Sequence, residues 1–538
     1  MNSKMMKSEI LKQLESIAEN DLKKGIENKF ETDSQRIKKY SFDFSGIYFD
    51  FSKTHISENM MSCYKSYADI VDLSDMRHRL FSGEKINVTE SRAVLHTLLR
   101  APDNQGIETK DSRCLEQAKE SEEDFFSKYE EIVIDLQKRN TPIRDIVHVG
   151  IGGSSLGTQL VFEALAGVDC RINVHFISNI DAHKLTSVLS NCNANSTLLI
   201  GVSKTFTTAE TLQNINTIGT WFEANNVGSW RDQFYAVTAN TENAIAFGVN
   251  ENNIVGFPVW VGGRYSVWSA VSLSAVIAFG LPKFKEFLQG AAEMDKHFYH
   301  SELDQNLCFI AAALDHYYAN FLDVKSRAIF PYDHRLRSLV YYLQQLETES
   351  NGKDRQLDGS PVDQSTSVVV WGGVGTDVQH SVFQMMHQGT SIIPAEFILV
   401  KQADHDYDDH HSELLANGLA QTAALLSGQD LQTVREISKD KEFSDVALKA
   451  KIFSGQRPST TMLLDRLTPK VLGSLLAFYE HRTFCLGVLL NINSYDQMGV
   501  ELGKRLANEI SPFLSIKGNQ IEAKLDQSTL ELIARVTR

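Results

Sequence analysis

Short apolar runs alternate with helical periodicities through the middle of the chain. Asp145 to Ile151 is an apolar run that ends among glycines, and helical spacing follows from about Gly157 to Leu165. Three more runs of strand length come next, at Asn173 to Ile177, Thr197 to Val202 and Phe234 to Thr238, with helical segments between them. Strands alternating with helices at this pitch predict parallel βαβ units. Helical texture then fills the chain from about Ser266 to Leu346. Ser367 to Trp371 and Ile393 to Val400 open a second α/β signal, and helical patterns resume over Leu414 to Leu426 and Leu463 to Tyr479.

The first 120 residues read as helix-biased and charged. They open on an amphipathic helix marked by Ile10, Leu11, Leu14 and Ile17 and contain a loop at Ala101 to Asn104. From about Ile516 the chain mixes Gly, Asn, Lys and Gln before a short helix. The expected fold is therefore α/β, with two parallel-sheet cores flanked by helices. The expected division is 1–120 as a helical segment packed on the core, 121–285 as the larger α/β unit, 286–510 as the smaller one, and 511–538 as a C-terminal arm. No long Pro/Gly/Ser linker separates the two α/β units, which implies a shared rigid interface.

Composition narrows the function. With 538 residues, 42% hydrophobic and 22% charged, the chain is long enough for large cores. Lys and Arg number 53 against 68 Asp and Glu, a net charge of −15, and no basic run offers a nucleic acid a positive face. An anionic small substrate remains open, because a pocket's local field can oppose the net charge. The start lacks the uninterrupted apolar stretch of a signal peptide, and Ser269 to Leu281 is too short to span a bilayer. Six scattered cysteines without a CxxC pair argue against a zinc ribbon or disulfide framework and for a cytoplasmic protein with reduced thiols.

Several motifs offer chemistry, each with a bland alternative. Gly150 to Gly157 follows a strand and opens a helix, where glycines admit a ligand and the helix N-terminus favours anions. It lacks the third glycine of a dinucleotide fingerprint and the lysine of a Walker loop, and a tight turn without ligand explains it equally well. Ser203 to Thr211 places hydroxyls and Lys204 between a strand and a helix, a donor set suited to phosphate. Capping by Ser203 or Thr205 would account for one hydroxyl but not for all of them. Arg264 follows Gly262 and Gly263, and can serve a developing oxyanion or satisfy a structural carboxylate.

Glu349, at the end of a helical stretch, is a candidate general base or half of an i,i+4 pair with Lys353. His380 and His387 are seven apart on one helix, and either can be an acid–base or a structural residue. Asp404 to His411 is rich in His and carboxylates but lacks a ligand spacing, so a solvated loop explains it without a metal. Near the C-terminus, Glu501 and Arg505 form an i,i+4 pair, which leaves Lys504 without a local partner.

In this order, from about Thr89 to Lys504, these motifs resemble the glucose-6-phosphate isomerase family. The stretch Thr89 to His96 opens the resemblance, and Val261 to Ser266 and Tyr495 to Lys504 look like that family's signatures. The resemblance implies two sugar-isomerase-type α/β domains and a cytoplasmic homodimer with its active site shared between chains. It also implies interconversion of glucose 6-phosphate and fructose 6-phosphate with no metal or other cofactor. The phosphate clamp would fall on Ser203, Lys204, Thr205 and Thr208, with Thr211, Gly153 and Ser154 nearby. Arg264 would steady the enediolate, and Glu349 would carry the proton, with Gln345 one turn earlier. His380 would open the ring, donated in many members by the neighbouring chain, while Lys504 and Gln497 would serve the sugar. Ser155, Val259, Met498 and the Gln345-Leu346-Glu347 stretch depart from the usual pattern without removing a group the chemistry needs. A sugar-phosphate-binding regulator, or an isomerase that also accepts mannose 6-phosphate, are the alternatives.

Overall fold

The computed structural model describes residues 3–101, 103–109, 112–438, 443–515 and 525–537. Pro102 of the expected loop and residues 516–524 of the expected Gly/Asn-rich stretch lie outside the described residues. The chain forms two compact units, 1–494 and 495–538. The second comprises the helices Glu501–Ser515 and Gln527–Val536.

The strands, in chain order, are β1 (Ser41–Phe44), β2 (Ile47–Asp50), β3 (Asp145–Val149), β4 (Asn173–Ile177), β5 (Thr197–Val202), β6 (Phe234–Thr238), β7 (Ile254–Gly256), β8 (Ser326–Tyr332), β9 (Val369–Gly372), β10 (Ala395–Val400) and β11 (Ser459–Leu464). They build two sheets within the first unit. One is all parallel, in the order β4-β3-β5-β6-β7. The other runs β1-β2-β11-β10-β8-β9, with a parallel core and the β1–β2 hairpin added antiparallel at one edge. β3, β5 and β10 are buried along their whole length. Central strands covered by helices on both faces read as continuous apolar runs, which is why the pattern found them.

The strands that the pattern missed carry polar residues or are short. β8 lies inside the stretch read as helical, because Arg327 and Pro331 interrupt its apolar character. The ladder with β9 ends at Ile329 and Gly372, so Pro331 sits where only β10 is paired alongside it. β11 corrects the helical reading that began at Leu463. The true boundary is Thr468-Pro469, where Thr468 caps the Val471 N–H and Pro469 starts the helix Pro469–Leu489. The hairpin was hidden in a segment read as helical. The N-terminal helix Ser3–Lys24 does form, burying Ile10, Leu14 and Ala18.

Helix Pro469–Leu489 is buried on every side from Val471 to Leu489. A helix covered all round must pair its charged residues, and this one carries Glu480, His481 and Arg482. It crosses helix Leu281–His300 at two glycines: a Cβ on Gly290 would meet the Lys470 carbonyl, and one on Gly473 the Phe287 carbonyl. No helix of the described residues is long and apolar enough to cross a membrane. The six cysteines are unbridged.

Candidate active site

The turns that leave the C-terminal ends of β3 and β5 form one wall of the site. After β3 the chain makes a tight turn through Gly152 to Ser154 and enters helix Leu156–Leu165. Gly153 presses on a second loop: a Cβ there would lie 2.2 Å from the carbonyl carbon and oxygen of Gly263. The Ser266 hydroxyl ties the same two loops by donating to the carbonyls of Gly153 (3.1 Å) and Gly263 (2.7 Å). A glycine is required here by proximity to another backbone, not by the turn alone. The hydroxyl of Ser154 has no partner among the described residues.

After β5, residues Ser203 to Thr208 lead into helix Ala209–Ala224. Thr208 occupies the cap position but makes no side-chain cap bond, so capping does not consume these hydroxyls. Ser203 Oγ lies 3.2 Å from Thr208 Oγ1 and accepts from the Phe206 N–H, while Thr205 and Thr207 pair their hydroxyls at 2.7 Å. Phe206 adopts φ 53° and anchors the turn by burying its ring. Lys204 donates to the Val261 carbonyl at 2.9 Å. Its burial, with Arg92 nearby, depresses its pKa to about 8. Thr211 is buried on the inner side of its helix, behind the turn.

The opposing wall is the last turn of helix Leu339–Asn351. Glu349 Oε2 accepts from Gln345 Nε2 at 2.9 Å and lies 3.6 Å from Arg264 Nη1. Its other oxygen accepts no hydrogen bond from the described residues, and 18% of the side chain remains exposed. Arg264 is buried and divides its fork, giving Nε to Ser350 Oγ at 2.7 Å and Nη2 to the Ser494 carbonyl at 2.7 Å. Arg264 thus has two neutral acceptors, Ser350 and Ser494, beside its 3.6 Å ionic contact with Glu349. Lys353 gives its ammonium to the carbonyls of Glu349, Ser350 and Asn493 at 2.9–3.1 Å, so it holds the end of the helix.

The structure therefore brings Gly153, Arg264, Gln345 and Glu349 together. Gly152 completes the contact, since a Cβ there would sit 2.9 Å from Gln345 Nε2. The supporting shell was not assigned from sequence. Tyr265 joins Ser350 at 2.9 Å, Asn351 links Thr483 and Ser494, and Asn493 reaches Asn87 and Thr89 at 2.9 Å. The signal was present, because Tyr265, Ser350, Asn351 and Lys353 adjoin the residues singled out in their motifs.

The two histidines have different fates. His387 is half-buried and meets Gln421 Oε1 at 3.0 Å, a structural contact. His380 is exposed at the start of helix Gln379–Gln388, and its imidazole has no hydrogen bond or ring contact among the described residues. Lys504 and Gln497 belong to the second unit and are exposed. Lys504 corrects one expectation: it pairs with Glu501 at 3.1 Å, because an i+3 lysine reaches a glutamate as readily as an i+4 arginine. Asp404 to His410 are exposed apart from half-buried Ala403 before them, and Asp404 pairs with Arg335. Ser155, one of the departures, is fully buried with its hydroxyl unpartnered among the described residues. Val259 and Met498 are exposed.

A carboxylate with one oxygen that accepts no bond from the described residues, a buried guanidinium beside it and a hydroxyl-rich turn at strand ends define an α/β protein suited to a small anionic ligand. The phosphoglucose isomerase family model matches residues 50–533. A glucose-6-phosphate isomerase of Rhizorhabdus wittichii is 42% identical over 508 residues, covering 94% of this chain and 95% of that protein. One of Shewanella sediminis is 41% identical over 514 residues, covering 94% of each. The crystal structure of a glucose-6-phosphate isomerase from Chlamydia trachomatis superposes with a TM-score of 0.84 at 29% identity, covering 98% of this chain and 99% of that one. The chain belongs to the phosphoglucose isomerase family.

Proposed function

We infer that the protein interconverts glucose 6-phosphate and fructose 6-phosphate by ring opening and proton transfer through an enediolate. The observation that carries this reading is the Glu349 carboxylate, oriented through one oxygen by Gln345 and Arg264 and open at the other. A base of this kind takes the C2 proton and returns it to C1. Arg264 stabilises the oxygen charge that develops between the two carbons, and its hydrogen bonds to Ser350 and Ser494 fix it before the reaction begins. The Ser203–Thr208 turn, with Gly153 and Ser154 beside it, holds the phosphate and so positions the distant carbons.

His380 protonates the ring oxygen during opening, and Lys504 accepts the anomeric hydroxyl proton, with Gln497 contacting the sugar. Because His380 is exposed and unengaged, we assign it to the site of a second copy of the chain, in a homodimer with shared active sites. We place the protein in the cytoplasm. The division into 1–120, 121–285, 286–510 and 511–538 belongs to the same reading, and limited proteolysis at those boundaries tests it.

A coupled assay tests the activity: fructose 6-phosphate is supplied and glucose 6-phosphate is read by a dehydrogenase, with chelator present. Turnover is expected. Binding without turnover would leave a sugar-phosphate regulator, and turnover of mannose 6-phosphate would widen the substrate range. Refolding Glu349→Gln with His380→Asn tests the shared site. Each variant alone is inactive, and a random mixture regains about a quarter of wild-type activity, since half the dimers carry one intact site of two. No recovery would place His380 in its own chain's site.

A further inference from the structure

We propose that Asp145, His175 and Cys192 form a zinc-class metal site at the end of the parallel sheet away from the catalytic turns. Asp145 is the first residue of β3, His175 the third of β4, and Cys192 lies in the turn before β5. β4 and β5 flank β3, so three neighbouring segments of the sheet each supply one donor. Asp145 Oδ1, His175 Nε2 and Cys192 Sγ all lie within 4.8 Å of one another. The catalytic turns leave the opposite, C-terminal ends of β3 and β5. The site is therefore separate from the isomerase chemistry and does not rest on that reading.

The donor chemistry selects the ion. One carboxylate oxygen, one imidazole nitrogen and one sulfur suit a borderline cation that accepts tetrahedral N, O and S ligands. Calcium and magnesium prefer all-oxygen shells. Asp145 is buried while His175 and Cys192 are half-buried, so solvent reaches the site from one side and water can take the fourth position. Asn173 Nδ2 donates to Asp145 Oδ1 at 3.2 Å, the kind of outer contact that orients a ligating carboxylate.

Without the ion, His175 and Asp145 satisfy each other at 2.9 Å. Binding breaks that hydrogen bond, and the imidazole proton moves to Nδ1 so that Nε2 offers its lone pair. The Cys192 thiol loses its proton to solvent, so one proton leaves per ion bound.

The test uses the full chain, stripped with a chelator and titrated with Co²⁺ and Zn²⁺. One equivalent of Co²⁺ is expected to give a near-ultraviolet thiolate charge-transfer band, which Zn²⁺ bleaches. Zn²⁺ raises Tm, and isomerase turnover is the same with and without the ion. Cys192→Ser and His175→Gln each abolish the band and the Tm shift while keeping turnover, which shows that they fold. Absence of the band in the wild-type chain, or its persistence in both variants, would overturn the proposal and leave Asp145–His175 as an ordinary hydrogen-bonded pair.

Discussion

Glu347 and Glu349 stand two residues apart on one helix, and their surroundings could hardly differ more. Glu347 faces the second sheet, where Arg327 gives both its carboxylate oxygens a hydrogen bond at 2.6 Å. Arg327 also meets Asp315 at 2.8 Å and Glu396 at 3.1 Å. Arg482 bonds Asp315 in two places at 2.6 Å and reaches Glu396, which also accepts from Tyr479 at 2.8 Å. Burial pushes the Glu347 carboxyl up against the pull of Arg327. Among the described residues, the Glu349 carboxylate has one hydrogen bond, one longer ionic contact and one oxygen that accepts nothing. The same residue type becomes structural where its acceptors are saturated and dry, and suits the proposed base where one oxygen accepts no bond from the described residues.

That contrast orders the expected effects. Glu349→Gln keeps the Gln345 contact through its amide oxygen but cannot accept a proton. Turnover should fall about 10²–10⁴-fold with Tm unchanged, and an equal fall in Tm would return Glu349 to the structural side. Gly153→Ala drives a methyl into the Gly263 carbonyl and displaces Arg264, which should lower kcat by about 100-fold. Unchanged kcat in that variant would detach the two loops from the chemistry.

Arg327→Met gives the mirror image of Glu349→Gln. It leaves buried Glu347 without its cation, while Asp315 and Glu396 keep Arg482, and should cost about 3–5 kcal/mol, read as a lower urea midpoint. KM in the folded enzyme should not move. A stability unchanged by this substitution would mean that the network has no structural weight.

The smallest effect concerns Lys204, whose folded pKa near 8 lies below its ordinary 10.5. Between those values the unfolded chain binds more protons, so this group adds stability as pH rises from about 8 to 10.5. In the proposed clamp, phosphate binding has the opposite slope, because the ammonium is lost as pH passes 8. KM should rise a few-fold above that pH, and Lys204→Arg should flatten the rise. A KM independent of pH from 7 to 9.5 would remove Lys204 from the clamp.

The buried network also marks the limit of what the sequence conveys. β3, β5 and β10 were legible because burial on both faces makes a plain apolar run. β8 was not, since Arg327 is buried only by virtue of partners that come from other helices and strands. The candidate site was legible as motifs, and Glu349, Arg264, Gln345 and Gly153 do converge. Spacing could not show that Lys204 would be drawn to the Val261 carbonyl, or that His387 would find Gln421 while the His380 imidazole found no partner among the described residues. Those outcomes depend on which loops meet, which pattern and periodicity do not encode.

The β1–β2 hairpin carries a consequence for how the chain is made. Phe49 of β2 pairs with Met462 of β11, so the hairpin emerges from the ribosome long before its partner strand. At about 5–20 residues per second that interval is roughly 20–80 s. The parallel sheet from β3 to β7 can close during this time from segments close in sequence, whereas the second sheet cannot. A nascent chain stalled before residue 459 would hold a finished half beside an unpaired strand edge. That intermediate is the one on which a folding chaperone has most to act.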